Sequence, residues 1–177
     1  MGALKDSLGV HWVLRKKSET GKVLALEVLF FEGADKGGVF LADDGQGAVV
    51  FYDINDRSWS WSNALRKAKL VLRHAGIRSV WRLLKYRKMI ATTRPEEAMV
   101  GFLVGTDRLA KGTKAIFDIH EGMQKLAKSR RLPICLETTQ PRVRRLYQYA
   151  GYKEYAVRRH PFADLDIYFF IKHPDDV

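Results

Sequence analysis

Cysteine is nearly absent from this 177-residue chain. The single Cys135 excludes an intrachain disulfide framework and a zinc site built on several thiolates. It lies in the apolar run "LPICLE", where it reads as a buried structural thiol. The histidines His11, His74, His120, His160 and His173 are scattered, with none of the metal-binding spacings such as HExxH, so no metal is expected. No stretch of about 18 uncharged apolar residues occurs, and the first residues lack the order of basic start, long apolar stretch and cleavage site. A soluble, cytoplasmic protein with no membrane partner is therefore expected. Repeats, low-complexity segments and dividing linkers are also missing, so residues 1–177 are read as one domain, with 46% hydrophobic residues to fill an ordinary core.

What the chain has in excess is positive charge, with a formal net of +11. That raises anionic partners: nucleic acid, an acidic membrane or a polyphosphate cofactor. The basic residues recur in "RKAKLVLRH", "RSVWRLLKYRK", "KLAKSRR" and "PRVRR", where apolar residues fall near helical spacing, so solvated helix faces account for most of them. No recognised nucleic-acid motif accompanies the charge, and nucleic acid ranks last among the partners.

Periodicity orders the elements. "GKVLALEVLFFEG" reads as a helix ended by Gly33. Val39–Leu41 and Ala48–Tyr52 flank Asp43, Asp44 and Gly45 as a hairpin. "NALRKAKLVLRHAG" and "IRSVWRLLKYRKMIATTR" read as two helices, divided at Gly76 and stopped before Pro95. Trp59 and Trp61 precede the first of these, with packing at its entry expected and the lining of a substrate site as the alternative. The second half alternates: strand "AMVGFLVGT", helix "KAIFDIHEGMQKLAKS", strand "LPICLETT", helix "PRVRRLYQYAG" with Pro141 at its start, then strands "YKEYAV" and "LDIYFFIK". A strand, helix, strand order with short connections implies two parallel neighbouring strands.

The informative unit is Ala98 to Tyr152. An apolar strand feeds a loop carrying Lys111, Gly112, Thr113 and Lys114, and the next helix turns its N-terminus, with free N–H groups, back toward the strand's carboxyl end. From these residues alone the loop is either an anion pocket or a basic loop before an ordinary crossover helix.

The same stretch resembles the GNAT superfamily of N-acetyltransferases. That family joins an apolar strand, a "Q/R-x-x-G-x-G/A" loop and helix, a strand often reading "LEATNP", and a helix ending "LYxxxGF". Here the counterparts are "GFLVGTD", "KGTKAI", "LETTQPRV" and "LYQYAGY". The resemblance implies an α/β (α+β) fold with a mixed, mostly antiparallel sheet flanked by helices, whose central strands part near residues 105 and 137. It also implies an N-acetyltransferase that uses acetyl-CoA as co-substrate and a small-molecule or peptide amine as acceptor. Homodimers are frequent in the family.

Carried over by position, Val104, Gly105 and Thr106 match the strand whose backbone hydrogen-bonds the pantetheine arm. Lys111, Gly112, Thr113, Lys114, Ala115 and Ile116 match the pyrophosphate loop, and Gln140 lies near an asparagine that can reach the cofactor. Tyr147 matches the tyrosine that protonates the departing thiolate, a role a phenol of pKa about 10 can fill. The loop departs from the pattern: Lys114 stands where the first motif glycine belongs, and Ile116 where the second small residue belongs. Glycines there let the backbone approach a pyrophosphate, so this departure favours an inactive binding module as the alternative. For the general base, Glu137, Asp53 and Tyr52 are weak candidates.

Overall fold

The computed structural model describes residues 19–42, 45, 47–106 and 114–176. Its elements run α1 (Glu19–Asp35), β1 (Val39–Leu41), β2 (Gly47–Asp53), α2 (Trp61–Leu70), a wide π turn (Val71–Ala75), α3 (Ile77–Thr93), β3 (Met99–Thr106), α4 (Ala115–Arg130), β4 (Ile134–Thr138), α5 (Pro141–Tyr149), β5 (Lys153–Arg159), β6 (Asp166–Lys172) and a closing 3-10 turn (Pro174–Asp176). The strands form one sheet in the order β1-β2-β3-β4-β6-β5. Every neighbouring pair is antiparallel except β3 with β4. The expected mixed, mostly antiparallel sheet with flanking helices is therefore present, as is the parallel pair across the α4 crossover.

Two expectations are corrected. Gly33 does not end α1, which continues to Asp35. A Cβ at Gly33 would overlap Val50 Cγ1, so glycine is needed there for the close approach of α1 to β2. The tryptophans do not pack into the structure at the entry of α2: Trp59 and Trp61 stay mostly exposed and meet each other edge to face at 5.9 Å. The division between α2 and α3 does fall at Gly76, whose φ of 77° lies in the region that favours glycine.

Each sheet face carries its own apolar cluster. On one face α4 sets Ala115, Ile119, Met123 and Ala127, four residues apart, against Val49, Phe51, Met99, Ile134, Leu136 and Phe170. On the other, Ile90 of α3 meets Ile167 and Phe169 of β6, with Tyr86 and Met89 beside them. Alternation along β4 follows from this: Ile134 and Leu136 belong to the α4 face, Cys135 and Glu137 to the α3 face. Cys135 is buried, and burial, aided by the Glu137 charge, pushes its thiol up to about 12. A thiol held protonated in this way has the inert structural character expected of it.

The position of the opening follows from the register. β3 pairs with β4 only at Met99, Val100 and Gly101, opposite Ile134, Cys135 and Leu136. The β2–β3 register shifts there: Val50 faces Leu103 while Phe51 faces Gly101, which leaves Phe102 as the extra residue of a bulge. A bulge bends and twists its strand. Past it, β3 keeps β2 as its partner while Glu137 and Thr138 of β4 keep only β6. The strands thus part after residues 101 and 136, a few residues earlier on β3 than expected.

Candidate active site

Beyond Gly101, alternate backbone N–H and C=O groups of β3 have no ladder partner on the β4 side among the described residues. Val104, Gly105 and Thr106 lie in this one-sided stretch, opposite Val49, Ala48 and Gly47. A row of unpaired strand-edge groups is chemically suited to an extended chain of amides, which can complete the ladder. Gly101 stands at the apex, where a Cβ would run into the Leu136 side chain and press on Met123 Cε.

Lys111, Gly112 and Thr113 lie outside the described residues. Lys114 is the N-cap of α4, exposed, with its ammonium 3.7 Å from Asp118 Oδ1 one turn on. A lysine has no acceptor with which to cap the helix; of the first-turn N–H groups, that of Phe117 donates to the Lys114 carbonyl at 2.9 Å. Ala115 is fully buried in the α4 cluster together with Val49, the partner of Val104, which sets the start of α4 beside the free part of β3. Ile116 follows in the first turn of α4.

Tyr147 comes from α5, which begins at Pro141. Its ring packs edge-on to Phe170 at 5.4 Å and lies 5.8 Å from Tyr152, within the α4-side cluster. Burial first, and then the charge of Glu137, pushes its hydroxyl up to about 12. The hydroxyl is therefore protonated at neutral pH. Gln140 is the exposed N-cap of α5, and its N–H donates to Thr138 Oγ1 at 3.1 Å.

Glu137 leaves the parting strand on the α3 face and is gripped there by Arg94. Arg94 Nη2 donates to Glu137 Oε2 at 2.7 Å, and Nε donates to Oε1, so both carboxylate oxygens are taken. The side chains are only 10% and 15% exposed. Pro95 accounts for the local backbone: Arg94 is extended at φ −70°, ψ 151°, as a residue before proline prefers, and closes α3 there. Burial works to lower the Arg94 pKa, but its bond to Glu137 and that partner's charge outweigh this and raise it. Both oxygens of the Glu137 carboxylate are thereby occupied by the Arg94 guanidinium, in charge-assisted hydrogen bonds of the stronger kind.

Arg94 had no sequence signal beyond a basic residue before a helix-ending proline. Tyr86, whose hydroxyl burial and Glu137 push up to about 12, had none either. The other two candidate bases sit elsewhere. Tyr52 and Asp53 face Val100 and Met99, at the closed end of β3. Asp53 Oδ1 accepts the Asn55 N–H at 2.9 Å in a turn, and Tyr52 is buried beneath the Lys36 ammonium, 4.2 Å from its ring centre. A pocket of about 440 Å³, lined by Glu32, Asp35, Lys36, Trp59 and Asn63 among others, opens beside that closed end and not at the parting strands.

No family model matches the chain, and no characterised relative matches it by sequence. Its fold does match solved structures. The C-terminal condensation domain of Ebony in complex with beta-alanyl-dopamine superposes with a TM-score of 0.63 at 12% identity, over 92% of this chain and 84% of that one. Arylalkylamine N-acetyltransferase 2 from Aedes aegypti gives 0.54 at 10% identity, over 87% and 86%. The Drosophila melanogaster polyamine N-acetyltransferase, which forms N-acetylagmatine, gives 0.53 at 16% identity, over 88% and 81%. At these identities the likeness is one of fold, and the chain has the GNAT fold expected of it.

Proposed function

We propose that the chain is an acyl-CoA-dependent N-acyltransferase of the GNAT superfamily, with acetyl-CoA as co-substrate and an amine as acceptor. The observation that carries this reading is the one-sided β3 edge beyond Gly101, with the Tyr147 ring packed on the sheet face that α4 covers. The edge groups of Val104, Gly105 and Thr106 fit the amides of a pantetheine arm, and the start of α4 with Lys114 fits its phosphates. Acetyl-CoA would supply the activated acyl group. Tyr147 holds a proton for the sulfur that leaves, and burial keeps that proton in place across the working pH range. Glu137 and Arg94 hold the β4 rim of the opening in place, since each side chain is committed to the other by two hydrogen bonds. Fold neighbours that act on arylalkylamines and polyamines support a small amine as acceptor.

The second reading is a module of the same fold that binds without catalysis, favoured by Lys114 and Ile116 at positions where the superfamily's loop carries small residues. Isothermal titration with acetyl-CoA separates the two. Saturable binding is expected, with Tyr147→Phe binding as well as the native chain but turning over at least about 100-fold more slowly. Absence of binding at millimolar ligand removes the acyltransferase reading.

A further inference from the structure

Residues 61–93 hold nine Lys and Arg and no Asp or Glu, so most of the chain's net charge of +11 gathers on α2, the π turn and α3. The apolar residues of this hairpin are distributed unusually. Trp61, Leu65, Ala68 and Leu72 follow at steps of four, three and four, the spacing of one helix face. That face points outward: Trp61 is 77% exposed, Leu65 70% and Leu72 84%. Inward, α2 buries Asn63 and sets Lys67 3.1 Å from Glu32, with Arg66 stacked 3.8 Å above the Phe31 ring. Along α3, Trp81 and Leu84 are also exposed, with Lys85 5.5 Å from the Trp81 ring centre. Trp81 also meets the Phe162 ring, at 6.0 Å between centres. Exposed large apolar side chains on two successive helices, set among charges of one sign, mark a site of contact.

We propose that the outer face of α2 and α3 docks on an anionic lipid surface, with Trp61, Leu65, Leu72, Trp81 and Leu84 entering the headgroup boundary and the surrounding Lys and Arg meeting the lipid phosphates. The charge selects this occupant. A second copy of the chain would set one acid-free basic face against another, which like-charge repulsion opposes. Nucleic acid would use the basic residues but leave Leu65 and Leu72 without a role. A lipid interface uses both: leucine and tryptophan partition into it, while lysine and arginine extend to the phosphates. Among the described residues no helix is long and apolar enough to cross a membrane, so the hairpin lies on the surface. The sequence-level expectation of no membrane partner rested on the lack of a spanning segment, which leaves surface docking open.

The test is co-sedimentation of the full chain with vesicles of equimolar phosphatidylcholine and phosphatidylserine, against vesicles of phosphatidylcholine alone, with tryptophan emission followed in parallel. Binding to the anionic vesicles with a shift of emission to shorter wavelength is expected, and little binding to the neutral ones. Lys69→Gln with Arg73→Gln should weaken binding about 30-fold. Leu65→Ser with Leu72→Ser should weaken it at least about 10-fold, and both pairs should keep the native melting temperature because these side chains are exposed. The proposal is overturned by absence of binding to anionic vesicles, by leucine variants that bind as the native chain does, or by a native dimer that the leucine variants convert to monomer. Binding of RNA or DNA that the leucine variants leave intact, without vesicle binding, also overturns it.

Discussion

Helices α2 and α4 have the same kind of sequence, basic with apolar residues at helical spacing, yet α4 turns its apolar face inward and α2 turns its apolar face outward. α4 buries Ala115, Ile119, Met123 and Ala127 and exposes its charges. α2 turns Trp61 and Leu65 out, as the π turn does Leu72, and uses Lys67 and Arg66 inward, against Glu32 and Phe31 of α1. The difference lies in what each helix meets. α4 crosses over an apolar sheet face, whereas α2 meets a helix that offers a half-buried carboxylate. Burial raises the Glu32 pKa, but Arg87 and Lys67 together outweigh it and hold Glu32 ionised. Periodicity therefore identifies an amphipathic helix without saying which of its faces is inside.

The contrast can be broken most sharply by placing the same substitution on both helices. Ile119→Asp buries a charge among Met123, Leu136 and Phe170, and should cost more than about 4 kcal/mol, enough to unfold a large fraction of the protein. Leu65→Asp changes an exposed residue and should stay within about 0.5 kcal/mol of the native chain. Urea denaturation of both variants measures this. Equal losses would mean that the outward face of α2 is covered.

A second test compares the two polar anchors on the α3 side. Arg94→Ala would leave the Glu137 carboxylate with neither of its two hydrogen bonds in a site that is largely out of water, at a cost of about 3 kcal/mol. Lys67→Ala removes a more exposed partner from Glu32 while Arg87 remains 3.2 Å away, so about 0.5 kcal/mol is expected. Denaturant midpoints for the pair would rank the two anchors, and a reversed order would overturn this reading of Glu137 as a clamped residue.

The order of elements was legible because each helix and strand carries its own period and its own stop. Gly76 and Pro95 bound α3, and Pro141 opens α5, as read from the sequence. Gly33 was misread because a glycine that ends a helix and one that admits a neighbouring strand look alike until the neighbour is placed. The opening between β3 and β4 was legible through motif order alone, and its apex lies nearer residue 101 because the bulge at Phe102 turns β3 away early. Arg94 was not legible as Glu137's partner: the two stand 43 residues apart, and no local rule joins the end of α3 to the end of β4.

The smallest expected effect is one of pH, and it belongs to the inward face of α4. His120 lies between the apolar cluster and Lys172, its ring 5.7 Å from that of Tyr152. Burial, and then the Lys172 charge, lowers its pKa below the ordinary 6.5. In the unfolded chain the imidazole takes up a proton as pH falls through that ordinary value, while in the folded protein it resists until a lower pH. Between the two values the unfolded state binds more protons, so stability rises with pH through this window and levels off above it. His160, lowered by burial, acts with the same sign. Melting temperatures should therefore fall as pH drops from about 7.5 to about 5.5, and His120→Asn should flatten part of that slope while leaving the part due to His160. A slope unchanged in His120→Asn would place the titrating group elsewhere, and would separate the α4 interior from the acid sensitivity of the fold.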